Sequence, residues 1–435
     1  MPSSYASSVA FLYGLQRHGI KLGLETIRSL LAALDHPERR FHALHIGGTN
    51  GKGSTAAIVA SVLASAGYRV GLYTSPHLVD FRERIRVNGE PIPEDQVARL
   101  TDALRAACPP ELNPTFFEFT TAMAFRHFAE AGVDAAVLEV GLGGRYDATN
   151  VVTPLVSCIT TVSFDHEEFL GHDLASIAFE KAGIIKPLVP VVAGPLPAEA
   201  GRVVEMVAKD LQAPLYRLGM DFSALGRHPG ACRFNGRRWT LTGLHCPLQG
   251  THQLDNLGCA LMMTELASER GLVILEQAVR DGVSNVQWEG RLETVEREPL
   301  LLLDGAHNPA AADALSDYLR QLRTRPARSD CSVILLVGMM RDKDHTGFLR
   351  ALVPLADRIV LTQAGMARSA PVETLGAAIP SGGPPVHVAP AVADALALAR
   401  RLARPSDVIC VTGSLMIIGE VKALLRGSVL SPLRG

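Results

Sequence analysis

Gly47-Gly48-Thr49-Asn50-Gly51-Lys52-Gly53-Ser54 joins glycines, one lysine and hydroxyls in a single run between a strand-like stretch, Phe41–Ile46, and an Ala-rich helix-like one, Thr55–Leu63. Glycines let a backbone turn tightly enough for several N–H groups to face one anion, and the following helix adds the positive end of its dipole. Gly48, Thr49, Asn50, Gly51 and Gly53 would form the cradle, Lys52 would supply a full charge to the outer phosphates, and Ser54 or Thr55 could face a magnesium ion. The run departs from the common phosphate-loop pattern, because Ile46 stands where the first glycine belongs and Gly53 separates Lys52 from Ser54. Taken by itself it also fits a tight structural turn.

Phosphates need a metal, and a metal needs hard ligands. Ser75 follows the next strand, Glu139 ends the third, and His166 follows the fourth in Ser163-Phe164-Asp165-His166. In a parallel sheet these three converge on the edge where the phosphate loop opens. Each has a plainer reading as a turn residue or a backbone cap. Lys181 lies in an amphipathic helix that ends at Gly183, where a lysine is ordinarily exposed to solvent.

The elements that must position these groups read as two α/β series. Strand-like runs Tyr68–Tyr73, Ala135–Val140, Val156–Val162 and Val189–Ala193 alternate with helices over Gln96–Ala107 and Thr120–Ala131, after two short helices between Phe11 and Leu34. Continuous apolar strands between helices predict a mostly parallel sheet covered on both faces. Between about Leu215 and His245 the pattern shortens and alternates, predicting a small antiparallel insert. A second series, Leu300–Asp304, Ser332–Val337, Arg358–Thr362, Val386–Val388 and Val408–Thr412, predicts a smaller Rossmann-like open-sheet domain. The boundary falls near 287–292, dividing the chain into 1–288 and 291–435.

A length of 435 residues suits two domains, and 47% apolar with 20% charged residues is ordinary for a globular protein. A formal charge of −2 argues against broad nucleic-acid binding. The seven cysteines are scattered, without Cys-x-x-Cys spacing, as in a reduced cytoplasmic protein. No export signal and no membrane-length apolar run is visible.

The motifs also resemble a known family. Gly-Thr-Asn-Gly-Lys-Gly-Ser (48–54), Thr-Ser-Pro-His-Leu (74–78), Glu-Arg-Ile-Arg-Val-Asn-Gly (83–89), Leu-Glu-Val-Gly-Leu-Gly-Gly-Arg (138–145), Glu-Lys-Ala-Gly-Ile-Ile-Lys (180–186), Asp-Gly-Ala-His-Asn-Pro (304–309) and Thr-Gly-Ser-Leu (412–415) are similar to those of folylpolyglutamate synthases, often bifunctional dihydrofolate synthases, within the Mur-ligase-like superfamily. The helical start Gly19–Leu24 belongs to the same resemblance.

The resemblance implies an ATP- and Mg²⁺-dependent ligase that adds L-glutamate to a folate or to dihydropteroate through an acyl phosphate. Both acceptors end in a carboxylate beside a related ring, so the motifs leave the two open, with the bifunctional enzyme as the working expectation. It further implies that Ser75, Glu139 and His166 hold magnesium, that Lys52, Lys181 and His166 are catalytic, and that Lys181 carries a carbamate. Asn256 and Arg291 would contact nucleotide between the domains, and Asp304 and His307 would touch nucleotide or orient glutamate, although His307 could equally cap a helix. For the pterin-bearing substrate, Phe117, Glu118 and Thr120 offer aromatic surface beside a carboxylate, although aromatics this dense more often pack a core. Arg82, with Arg84 and Arg86, projects to one side if extended, to receive an acidic tail or to form a solvated face. The family suggests a monomer and closure of one domain on the other. A ligase for a UDP-linked cell-wall precursor and a non-catalytic nucleotide-binding regulator stand as alternatives.

Overall fold

The computed structural model describes residues 3–18, 23–325 and 330–431, so Gly19–Leu22 of the resemblance lies outside the described residues. Two compact units emerge. The first comprises Met1–His77, Phe81–Pro247 and Gln253–Gln287; the second comprises Leu78–Asp80, Leu248–His252 and Trp288–Gly435.

The first unit is built on eight strands: β1 (His42–Gly47), β2 (Val70–Tyr73), β3 (Ile85–Val87), β4 (Glu90–Pro91), β5 (Ala135–Glu139), β6 (Val156–Ile159), β7 (Val191–Ala193) and β8 (Leu215–Arg217). Their order is β4-β3-β2-β5-β1-β6-β7-β8. From β2 to β8 every pair is parallel, while β3 and β4 form an antiparallel edge. Central strands β1, β2, β5 and β6 are buried almost throughout, which is why their sequences read as unbroken apolar runs. Because the strands are parallel, the loops after β1, β2, β5 and β6 all leave from one edge.

Helix Phe116–Glu130 begins four residues earlier than its apolar spacing suggests. The cause is a capping box: the Thr115 hydroxyl accepts from Glu118 N at 3.2 Å, and the Glu118 carboxylate accepts from Thr115 N at 2.8 Å. Such a cap contributes about 1 kcal/mol. Behind it, Phe119, Phe125 and Phe128 are buried in the same core as Leu12, Ile27 and Leu30, each fully buried apolar side chain contributing roughly 1.5–3 kcal/mol.

The antiparallel insert is smaller than the alternating pattern predicts. Leu215–Arg217 is β8, paired parallel with β7 as the last strand of the main sheet. Only β9 (Ser223–Gly226), β10 (Cys232–Asn235) and β11 (Thr240–Leu244) form the separate three-stranded sheet. An edge strand is half exposed, so its alternation mimics that of an insert.

The second unit holds β12 (Glu293–Arg297), β13 (Leu300–Leu303), β14 (Val333–Val337), β15 (Arg358–Leu361), β16 (Val386–Val388) and β17 (Val408–Thr412), in the order β12-β13-β17-β14-β15-β16. All pairs are parallel except β12–β13. The four leucines of β13 divide between its faces, Leu300 and Leu302 entering one core and Leu301 and Leu303 the other. Both units are therefore α/β, the second being the smaller open sheet expected. Among the described residues, no helix is long and apolar enough to cross a membrane.

Candidate active site

The glycine run turns out of β1 into the helix Lys52–Ser65. Gly48 and Gly51 hold φ angles of 137° and 87°, which strain any side chain, and a Cβ at Gly51 would strike the Asn256 amide. The loop is pinned to the segment after β6. Thr49 N donates to Thr161 O at 2.8 Å, Asn50 N to Thr161 Oγ1 at 2.9 Å, and the Thr160 hydroxyl to Asn50 O at 2.6 Å. The first-turn amides of Gly53 and Ser54 have no helical carbonyl to meet and remain suited to an anion. Lys52 Nζ turns back to Gly48 O at 3.0 Å and Thr49 O at 2.9 Å. Ser54 Oγ accepts from Gln253 Nε2 at 3.3 Å, and Gln253 Oε1 in turn accepts from Asn256 Nδ2 at 2.8 Å, which places buried Asn256 beside the loop. Among the described residues, Thr55 Oγ1 is buried with no hydrogen-bond partner.

Lys181 departs from the usual solvent-exposed lysine of an amphipathic helix. It is 4% exposed, and its Nζ donates to Gly48 O at 3.1 Å, the carbonyl that also receives Lys52. Burial, reinforced by the Lys52 charge and only partly opposed by Asp165, lowers its pKa to about 7. The helix Leu174–Ala182 is held there by backbone contact. Arg145 N donates to Glu180 O at 2.8 Å, a Cβ at Gly144 would meet the Glu180 and Lys181 carbonyls at 2.9 Å, and one at Gly183 would strike the Arg145 backbone.

On the neighbouring strands, Glu139 ends β5 and its Oε2 accepts from Ser75 N at 3.0 Å, joining two of the three expected metal ligands. His166 follows β6 with φ 53° at the start of a short helix, its Nε2 3.9 Å from Asp165 Oδ1. Among the described residues, no three His, Cys, Asp or Glu side chains gather as a ready-made metal cage. Asp147, which the sequence reading left without a role, accepts from Gly141 N and Leu142 N at 2.9 Å and from Thr149 N at 3.0 Å, fixing the glycine-rich loop after β5. Asp-x-Thr is an Asx-turn signal that could have found it.

Phe117, Glu118 and Thr120 lie in the first turns of helix Phe116–Glu130. Phe117 stands 5.9 Å from the Tyr73 ring and Thr120 Oγ1 3.1 Å from Tyr73 Oη, whereas the Glu118 carboxylate is engaged in the cap. The three arginines do not share a side. Phe81–Arg84 is a 3₁₀ turn, so Arg82 Nη2 approaches Glu94 at 3.6 Å, Arg84 turns inward, and Arg86 Nε donates to Glu83 O at 3.2 Å. Extended alternation fails because only Ile85–Val87 is strand.

In the second unit, Asp304 follows β13 and accepts from Leu292 N at 2.9 Å and Ala306 N at 3.0 Å, which fixes the turn carrying Arg291. Arg291 Nη1 donates to Gly290 O at 3.0 Å. His307 Nδ1 lies 2.8 Å from Gly305 O, and the following helix Pro309–Arg323 is capped by Asn308 rather than by His307.

Two family models match the chain: the Mur ligase middle domain over residues 46–264 and the Mur ligase glutamate ligase domain over 290–415. The dihydrofolate synthase/folylpolyglutamate synthase of Bacillus subtilis is 33% identical over 98% of this chain and 100% of the relative. The folylpolyglutamate synthase of Lacticaseibacillus casei is 34% identical over 98% and 99%. Among solved structures, E. coli FolC in complex with DHPP and ADP superposes with a TM-score of 0.89 at 33% identity, covering 98% of both chains. A bifunctional synthase with Mn, AMPPNP and L-glutamate bound gives 0.87 at 32% identity, again over 98% of both. The chain therefore belongs to the folylpolyglutamate synthase and dihydrofolate synthase family of the Mur ligases.

Proposed function

We propose that this protein is an ATP-dependent ligase that joins L-glutamate to the carboxylate of a folate, and also of dihydropteroate, through an acyl phosphate. The observation that carries the reading is the meeting of Lys52 and Lys181 on one carbonyl of the glycine loop, in a chain similar along its whole length to enzymes of that name. The loop fits a nucleotide's phosphates. Its glycines leave the space a Cβ would fill, and the Thr55 hydroxyl is buried without a partner among the described residues. Ser75, Glu139 and His166 suit magnesium, which takes few protein ligands and completes its shell with phosphate oxygens and water. When bound, that cation neutralises charge between two anions, the acceptor and the triphosphate.

The chain's own groups do the remainder. Loop amides and Lys52 hold the phosphates and offset charge as the acceptor carboxylate approaches. Lys181, poised near neutrality, is able to exist as the free amine that carbamate formation requires. Once carbamylated it would present anionic oxygens rather than a cation. Phe117 and Thr120 would line the acceptor site, Asn256 and Arg291 would contact nucleotide, and Asp304 and His307 would orient nucleotide or glutamate. Residues 1–288 and 291–435 act as the two working domains, in a cytoplasmic monomer. The relatives act on folates, so the cell-wall reading is not carried forward.

The test is ADP release by the purified protein, assayed with dihydropteroate and tetrahydrofolate separately, each with and without radiolabelled glutamate. Release with label incorporation requires acceptor and glutamate together. Release independent of either would sink the reading.

A further inference from the structure

Arg84 is 6% exposed, yet among the described residues no carboxylate pairs with it and neither terminal nitrogen is hydrogen-bonded. A guanidinium stays charged even when burial presses its pKa down, so this is a buried cation with no carboxylate in direct contact, although Glu139 and Glu83 act on it from a distance. What it has instead is a neutral partner and a π-face. Its Nε donates to His77 Nδ1 at 2.8 Å, and its central carbon lies 5.1 Å from the Phe116 ring centroid.

That bond defines the tautomer of His77. Since Nδ1 accepts, the ring proton sits on Nε2, which lies 3.3 Å from the Tyr13 hydroxyl. Tyr13 is stacked on Phe116 at 5.5 Å and 11°, and Phe81 stands edge-on to His77 at 6.4 Å and to Phe116 at 6.3 Å. The imidazole is thus walled by aromatic rings on its own and neighbouring elements, and its Nδ1 lone pair is taken by the Arg84 N–H. A buried unpaired cation is costly in a stable fold, and the natural relief is an incoming anion. The surroundings say which kind. Phe117, the partly exposed ring of the cluster, supplies flat apolar surface and is backed by the buried Tyr73 ring 5.9 Å away.

We propose that His77 is a positioning residue that aims the Arg84 guanidinium at the carboxylate of the acceptor, an aryl carboxylate whose ring lies along Phe117. The proposal rests on the ligase reading above and adds the group that meets the acceptor's anion. Phosphate of the nucleotide is the poorer match, because the rings around Arg84 are aromatic and the glycine-loop amides and Lys52 already suit the phosphates.

The test exploits geometry. In His77→Asn the amide oxygen occupies the place of Nδ1 and still accepts from Arg84. In His77→Gln the amide reaches the Nε2 position and leaves Arg84 without its acceptor. Dihydropteroate affinity is measured by calorimetry without ATP or glutamate, alongside KM for dihydropteroate and for ATP. Expected are affinity within about threefold of wild type for His77→Asn and a loss of about tenfold or more for His77→Gln and Arg84→Lys, with the ATP KM unchanged in all three. A mere packing role reverses the order, because glutamine is closer than asparagine to histidine in volume. Wild-type-like affinity in His77→Gln, equal losses in the asparagine and glutamine variants, or no dihydropteroate binding by the wild type overturns the proposal. Wild type that binds dihydropteroate but releases no ADP overturns the ligase reading and leaves the Arg84 site standing.

Discussion

Replacing Lys181 by methionine isolates the energetics of the buried amine. In the folded protein its pKa is lowered to about 7, while the unfolded chain keeps the ordinary lysine value of about 10.4. Between those values the folded state binds fewer protons than the unfolded one, so stability rises with pH across that window. From pH 7 to pH 9 the gain is about 2 kcal/mol, taking 1.36 kcal/mol per unit and allowing for half-titration at the start. Other groups titrate in the same range, Lys186 among them with a pKa lowered to about 8, so the variant is the reference. Urea denaturation of ligand-free wild type and Lys181→Met is to be measured at half-unit intervals from pH 6 to pH 9, in carbonate-free buffer. Wild type is expected to gain about 2 kcal/mol on the variant between pH 7 and 9, and the variant to be the more stable protein at pH 6. A difference that stays flat across that range would refute the argument that burial holds this amine near neutrality.

Three further outcomes follow from the same geometry. Lys52→Ala should abolish ADP release while shifting the melting temperature by only a few degrees, since the Nζ bonds to Gly48 O and Thr49 O tie a loop rather than the apolar core; parallel loss of both would contradict this. Activity lost in Lys181→Ala should return in part with millimolar short carboxylates, read as restored glutamate incorporation, and no return would count against a carbamate there. Gly51→Ala should weaken ATP-analogue binding and cost about 1–3 kcal/mol of stability, because it combines φ 87° with a collision at Asn256; wild-type affinity and melting would show the loop to be more accommodating.

How much of this was legible in the residues depends on how local each signal is. The glycine turn between strand and helix and the parallel strands declared themselves, because glycine spacing and unbroken apolar runs are consequences of backbone turning and two-sided burial. Ser75 and Glu139 could be paired from strand ends alone, and they do meet. Helix Phe116–Glu130 was read as starting late because its cap, Thr115 with Glu118, precedes the periodic stretch. The burial of Lys181 and Arg84 was invisible. Each sits in a pattern that usually faces water, and what encloses it comes from segments distant in sequence: Gly48 lies 133 residues from Lys181, and Tyr13 lies 64 residues from His77. Leu215–Arg217 misled for the opposite reason, since an edge strand and an insert strand share the same exposure rhythm.

The contact at Gly144 and Gly183 brings the loop after β5 and the helix that carries Lys181 together backbone against backbone. The Arg145 and Asn150 side chains that also bridge the two segments could be exchanged for others, but the two glycines could not. Here the separation between the β5 loop and the lysine helix has been reduced to its steric minimum, so it can widen but cannot be tuned. Any design that transplants Lys181 chemistry to another scaffold must carry both bare backbones with it, or the amine will be delivered a methyl group's width out of place.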